Sequence, residues 1–206
     1  MTPAASFPSP AIESPRDYGA QNPLVLPGYS WEHYRSLADL FQGTSVRVRF
    51  LDHRIEIMPP ISETHEERKV HIGRLVDAWC LDRDIECFGR GSATMEIPDT
   101  AGGEPDESYY FGEKKGRPDL VIEIALTSGG LSKRAFYAKF QVPELWIWRK
   151  NRLEVHVFDE GSNQWAETRE SRVLPGIPID AIEACATLPS ITQAVREFRK
   201  RCGAGE

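Results

Sequence analysis

The chain has 206 residues, 40% hydrophobic and 27% charged, with a formal net charge of −6. That is ordinary globular usage at the length of one domain with some tail, so a wholly disordered chain is excluded. No stretch reaches the roughly 18 uninterrupted apolar residues of a membrane span, and the N-terminus lacks the basic start and apolar run of a secretory signal. A cytoplasmic protein is expected. The acidic balance argues against coating nucleic acid through bulk charge and leaves room for a local basic groove. Cys80, Cys87, Cys185 and Cys202 form no C-x-x-C pair. They read as reduced, packed thiols, with neither a zinc set nor a disulfide framework.

From Met1 to about Pro27 the chain carries Pro3, Pro8, Pro10, Pro15, Pro23 and Pro27 with few charges or aromatics. Such a stretch buries too little apolar surface to offset its ordering entropy, and a flexible arm is expected there. The folded domain is expected over residues 28–206. Ser30 is placed to cap a helix with Trp31, Tyr34, Leu37, Ala38 and Phe41 at helical spacing, ended by Gly43. Val46, Val48 and Phe50 alternate with Arg47 and Arg49 as a half-buried strand. Asp52-His53 then forms a tight connection to a second strand, Arg54 to Met58, stopped by Pro59-Pro60.

A second helix is expected near Thr64, with Glu67 at capping-box spacing. Ile72, Leu75, Val76 and Trp79 form its apolar stripe. Wound backward, that stripe brings Arg68 and His65 onto the same face, with Glu66 toward one flank. Further on, residues 93–97 look extended, Gly102 to Asp106 reads as a break, and Tyr109 to Phe111 is a short strand. Leu120 to Leu126 is the most buried-looking strand, apolar throughout except at Glu123. A helix over Ser128–Phe140, strands at 144–148 and 153–158, and an amphipathic helix at about 190–202 complete the pattern. This order predicts a single mixed α/β sheet with helices packed against it.

Several motifs fail. His65-Glu66-Glu67-Arg68-Lys69 has Lys69 where a zinc helix needs its second histidine. Gly89-Arg90-Gly91 lacks the third glycine of a dinucleotide loop, and Thr94 stands in its place. Neither a phosphate-binding loop nor a nucleophile elbow is present.

Two carboxylates stand out. Glu123 sits within an apolar strand, where a charge is costly unless paired or bound to a cation. Asp106 follows Pro105 at the edge of another extended segment, 123 − 106 = 17 residues earlier. If those strands are antiparallel neighbours, the two acids converge and can share a hard cation such as Mg²⁺, which activates water against a phosphodiester. A buried ion pair with Arg90, Arg117 or Lys133 is the competing explanation. Asp119, roughly 13 Å from Glu123 by strand rise, is expected to cap the turn or bind a backbone amide.

The blocks E-I-M-P-P-I-S-E-T-H-E (56–66), G-S-A-T (91–94), E-P-D-E-S-Y-Y-F (104–111), R-P-D-L-V-I-E-I-A-L-T-S (117–128) and Y-A-K-F-Q-V-P-E-L-W (137–146) come in one order. In this the chain resembles the Uma-two (Uma2) family of the PD-(D/E)XK restriction-endonuclease-like superfamily. The resemblance implies a restriction-endonuclease-like mixed β-sheet flanked by helices and a Mg²⁺-dependent (or Mn²⁺-dependent) endonuclease acting on DNA. It further implies a homodimer whose two sites address two strands. Glu66, Asp106 and Glu123 would be metal ligands or organise the attacking water. The superfamily's lysine two residues after the strand glutamate is replaced by Ala125; Lys133 is then the expected source of the ammonium, with Lys69 as the alternative. Glu96 stands where relatives often carry a basic residue. Basic stretches at 114–117, 133–134, 149–152 and 199–201 could border a substrate groove. A nuclease-fold binding or dimerisation module without chemistry is the rival reading.

Overall fold

The computed structural model describes residues 22–126 and 130–203. Strand β1 (Leu24–Pro27) lies inside the segment expected to be an arm and pairs with residues 54–57. α1 (Trp31–Phe41) begins after Ser30, and its buried Tyr34 packs with Trp31 on Phe50. β2 (Arg47–Leu51) and β3 (Arg54–Met58) form a hairpin whose two turn residues, Asp52 and His53, both take positive φ. That is the turn whose twist matches a two-residue hairpin. It sets Arg49 directly opposite Glu56.

α2 (Glu63–Leu81) starts one residue before the expected position, because Ser62 rather than Thr64 is its cap: the Ser62 hydroxyl accepts the His65 N–H at 3.3 Å. β4 (Cys87–Gly89), β5 (Met95–Ile97) and β6 (Ala101–Gly103) are three-residue strands. The last of these replaces the expected break at Gly102-Gly103. Glycine is needed there for close approach: a Cβ on Gly102 would lie 2.6 Å from the Tyr34 ring. β7 (Glu107–Phe111) runs antiparallel to β8 (Leu120–Ile124), with Glu107 opposite Ile122.

α3 (Lys133–Lys139) is shorter than expected and is capped by Ser132, whose hydroxyl accepts the Ala135 N–H at 3.3 Å. Ser128, the expected cap, lies outside the described residues. β9 (Glu144–Arg149), β10 (Arg152–Asp159) and β11 (Gln164–Thr168) follow, then α4 (Ile179–Ala186) and α5 (Ile191–Arg201). No described helix is long and apolar enough to cross a membrane.

The strands form two sheets, not the single sheet expected. One is antiparallel in the order β1-β3-β2-β6-β5. The other runs β11-β10-β9-β8-β7-β4 and is mixed, since β8 and β9 are parallel. The alternation of β8 explains the layering. Leu120, Ile122 and Ile124 face the α2 stripe of Ile72, Leu75, Val76 and Trp79, backed by α4 and α5. Val121 faces the opposite way, into a cluster with Phe136 and Tyr137 of α3 and Leu51 of the first sheet. Glu123 shares Val121's face by strand period. It therefore enters the seam where α3 and the first sheet cover the second.

Candidate active site

The seam opens into a cleft of about 840 Å³ whose lining includes Arg47, Arg49, Glu56, His65, Asp106, Glu123 and Lys133. Asp106 sits just before β7, and its Oδ2 accepts the backbone N–H of Ile124 at 2.8 Å. Because Ile124 follows Glu123 on β8, the two acids expected to converge do so on one cleft.

Each acid is surrounded by cations. Arg47 donates to Asp106 Oδ1 at 2.5 Å, and His65 places Nε2 3.1 Å from Oδ2. An ionised carboxylate only accepts, so the His65 proton sits on Nε2. Glu123 is met by Arg49 Nη2 at 2.9 Å on Oε1 and by Lys133 Nζ at 2.5 Å on Oε2, while the Tyr137 hydroxyl also donates to Oε1. Arg49 spans two acids: its Nη1 lies 3.5 Å from Glu56 Oε2, and its guanidinium carbon stacks 4.7 Å from the Phe136 ring centroid. Glu56 also accepts the Leu131 N–H at 2.9 Å.

Burial alone would raise the Asp106 pKa. The hydrogen bond and charge of His65, then Lys133 and Arg47, outweigh it and hold the carboxyl well below the usual carboxylate range. Burial likewise works against the Arg49 charge, but Glu123 foremost, then Tyr137 and Glu56, keep the guanidinium above its ordinary value. Burial and the Glu123 charge push the Tyr137 hydroxyl well up. Asp106 and Arg49 are thus charged, and Tyr137 is a neutral donor.

Of the residues singled out in the sequence, Asp106, Glu123 and Lys133 meet in this cleft. Glu66 does not line it. Its carboxylate, 40% exposed, holds Lys69 at 2.6 Å and stands 3.6 Å from His65 Nδ1, so His65 intervenes between Glu66 and Asp106. The competing ion-pair explanation is partly realised: Lys133 pairs with Glu123, whereas Arg117 pairs with Glu160. Asp119 accepts the Phe111 N–H at 2.8 Å, the amide role expected of it. Glu96 is held by Arg35 and Tyr34 against α1. Tyr109, Tyr110 and Trp148 are buried, which leaves no face for stacking on bases. Arg134, Arg149 and Lys150, all exposed, also line the cleft, together with Glu154 and Glu167.

Sequence reasoning missed Arg47, Arg49, Glu56 and Tyr137 as parts of the site, whereas His65 lies on the inward face where the stripe, wound backward, places it. For Arg49 and Glu56 a signal exists. A two-residue turn at Asp52-His53 forces those opposite charges into direct cross-strand register. For Arg47 and Arg49 the V-R-V-R alternation misleads, since it describes a strand with one solvated face and here that face meets the second sheet.

Asp106 and Glu123 offer hard oxygen donors on one cleft, the chemistry that Mg²⁺ or Mn²⁺ takes. Each of their four oxygens already accepts from Arg47, Arg49, His65, Lys133, Tyr137 or the Ile124 amide. Among the described residues no three of His, Cys, Asp or Glu stand together as a metal site. A divalent cation would reach these donors only if Arg47 and Lys133 released their carboxylates.

The family model for Uma2, described as "Putative restriction endonuclease", matches residues 31–189. Among curated proteins there is no match. Among solved structures the chain is similar to a crystal structure from Anabaena variabilis described as "a putative nuclease belonging to DUF820". The identity is 13% and the TM-score 0.40, with 73% of this chain and 90% of that chain covered.

Proposed function

Since the chain belongs to the Uma2 family of restriction-endonuclease-like proteins, we propose that it is a metal-dependent endonuclease that hydrolyses DNA phosphodiester bonds in this cleft. The observation that carries the reading is the meeting of Asp106, Glu123 and Lys133 in one cleft that is also lined by the exposed Arg134, Arg149 and Lys150. Asp106 and Glu123 would hold Mg²⁺ or Mn²⁺, which supplies a more acidic water and neutralises phosphate charge. Lys133 takes the place of the ammonium that Ala125 lacks and stabilises charge developing on the phosphate. Glu66, which does not line the cleft, would act on the site only through His65, whose Nδ1 lies 3.6 Å from its carboxylate. The exposed arginines and lysine grip the flanking phosphates without reading sequence. Two copies of the chain would address the two strands.

The test is conversion of supercoiled plasmid to nicked or linear forms in Mg²⁺ and Mn²⁺, with chelator added in parallel. The reading expects cleavage by the wild type, loss with chelator, and loss in Glu123→Gln. Intact plasmid in every metal would overturn it. A second reading, a binding or dimerisation module without chemistry, draws on Ala125 and on the carboxylates being already neutralised. It expects DNA retention without cleavage.

A further inference from the structure

We propose that Arg47 and Lys133 are resident counter-cations that keep a divalent ion out of the free protein, so that the cleft takes metal only together with a phosphate-bearing strand. This rests on the nuclease reading above and adds an order of binding to it.

The inner cleft is balanced before anything enters. Three carboxylates, Glu56, Asp106 and Glu123, face three cationic side chains, Arg47, Arg49 and Lys133. A divalent ion arriving alone would add two positive charges beside three already held there by their carboxylates, in surroundings of low dielectric where like charges repel strongly.

The three cations differ in freedom. Arg49 is 1% exposed. It is held by Glu123, by Glu56, by the Glu104 carbonyl and by the face of Phe136. Arg47 and Lys133 stand at the mouth, with side chains 16% and 22% exposed, and each grips one outer oxygen: Asp106 Oδ1 for Arg47 and Glu123 Oε2 for Lys133. Both are long side chains that reach solvent, and phosphate is the anion for which guanidinium and ammonium groups readily exchange a carboxylate. A phosphodiester entering between them draws both outward. The two oxygens then released, one from each acid, face the same space beside that phosphate. Metal and substrate affinities are coupled in consequence, and each raises the other by the same factor.

The test is calorimetric titration of Mn²⁺ into the full chain, alone and with a duplex carrying phosphorothioate linkages. Titration of Mn²⁺ into duplex alone is subtracted. We expect Mn²⁺ to bind at least about 10-fold more tightly in the presence of the duplex, within the usual span of coupling between sites. Lys133→Met, in the absence of any duplex, should bind Mn²⁺ at least about 10-fold more tightly than the free wild type, because a resident cation is gone. Arg47→Met serves as the second variant should Lys133→Met fail to fold by circular dichroism. Fluorescence anisotropy of the duplex should show the reciprocal gain with Ca²⁺. Equal Mn²⁺ affinity with and without duplex, or no gain in either variant, overturns the proposal and leaves the nuclease reading standing. Absence of Mn²⁺ binding in every arm, with no duplex binding, removes both.

Discussion

The Asp106 carboxylate accepts the backbone N–H of Ile124 at 2.8 Å, so the acid that precedes β7 is tied to the strand residue that follows Glu123. This bond fixes the spacing of the two acids through main chain rather than through a mobile side chain. Asp106→Asn keeps an acceptor for the amide and removes the charge, so the fold should persist while plasmid cleavage in Mg²⁺ falls by at least about 100-fold, the scale of losing one charged or polar group that stabilises the transition state. Asp106→Ala differs: it also leaves the buried amide without a partner, at about 1–3 kcal/mol. Urea denaturation should therefore separate the two variants even though both lose cleavage.

Arg49 should matter more to folding than any acid it pairs with. Replacing it by Met leaves Glu56 and Glu123 buried with like charges and a neutral neighbour. Removing one partner of a buried ion network costs about 3–5 kcal/mol. Adding Glu56→Gln to Arg49→Met should return part of that loss, giving a coupling energy of about 0.5–3 kcal/mol in a double-mutant cycle. Additive losses would show that the Arg49–Glu56 contact contributes little.

The depressed Asp106 pKa has a defined consequence for acid stability. The folded chain keeps this carboxyl ionised at acidities where an unfolded aspartate, with pKa about 3.9, has taken up a proton. Proton uptake therefore favours the unfolded chain. The contribution is complete above about pH 4 and drains away as pH falls toward the folded pKa. Asp106→Asn has no such proton to bind. Its unfolding free energy should fall less steeply than that of the wild type between about pH 4 and about pH 2, as measured by urea titrations at several pH values. Parallel slopes would mean that other acids govern the acid limb.

Much of the frame is legible in the residues themselves. Trp31 to Phe41, Arg54 to Met58 and the Ile72–Trp79 stripe carry periodicities that local geometry satisfies without help. The Asp106–Glu123 spacing also points to neighbouring antiparallel strands, and β7 and β8 are such a pair. What escapes the sequence depends on the second sheet. Residues 164–168 and 179–186 are short segments with weak patterns, and they become strand and helix because β10 and the core already await them. Glu66 and His65 differ by one position, about 100° around a helix. The apolar stripe, wound backward, turns His65 rather than Glu66 toward Asp106. Arg47 and Arg49 read as solvated because periodicity reports that a face is polar, without reporting what covers it.

Gly102 offers a test of how the first sheet holds Arg49 in place. It pairs with Phe50 on β2, one residue along from Arg49, and the Tyr34 ring lies across it. A Cβ added there would come within 2.6–2.8 Å of three atoms of that ring, closer than such contacts allow. Tyr34 cannot simply withdraw, since it is buried against Trp31 and Phe50 and its hydroxyl donates to Glu96. Gly102→Ala should thus cost about 1–3 kcal/mol, the range for forced overpacking. Tyr34→Leu alone should also be destabilising, because it leaves a cavity and removes one of the donors to Glu96. In combination the added methyl fills space that the ring vacated, so the double variant should be more stable than the sum of the single losses predicts. If instead the losses add, the strain at Gly102 comes from its backbone and not from the Tyr34 ring.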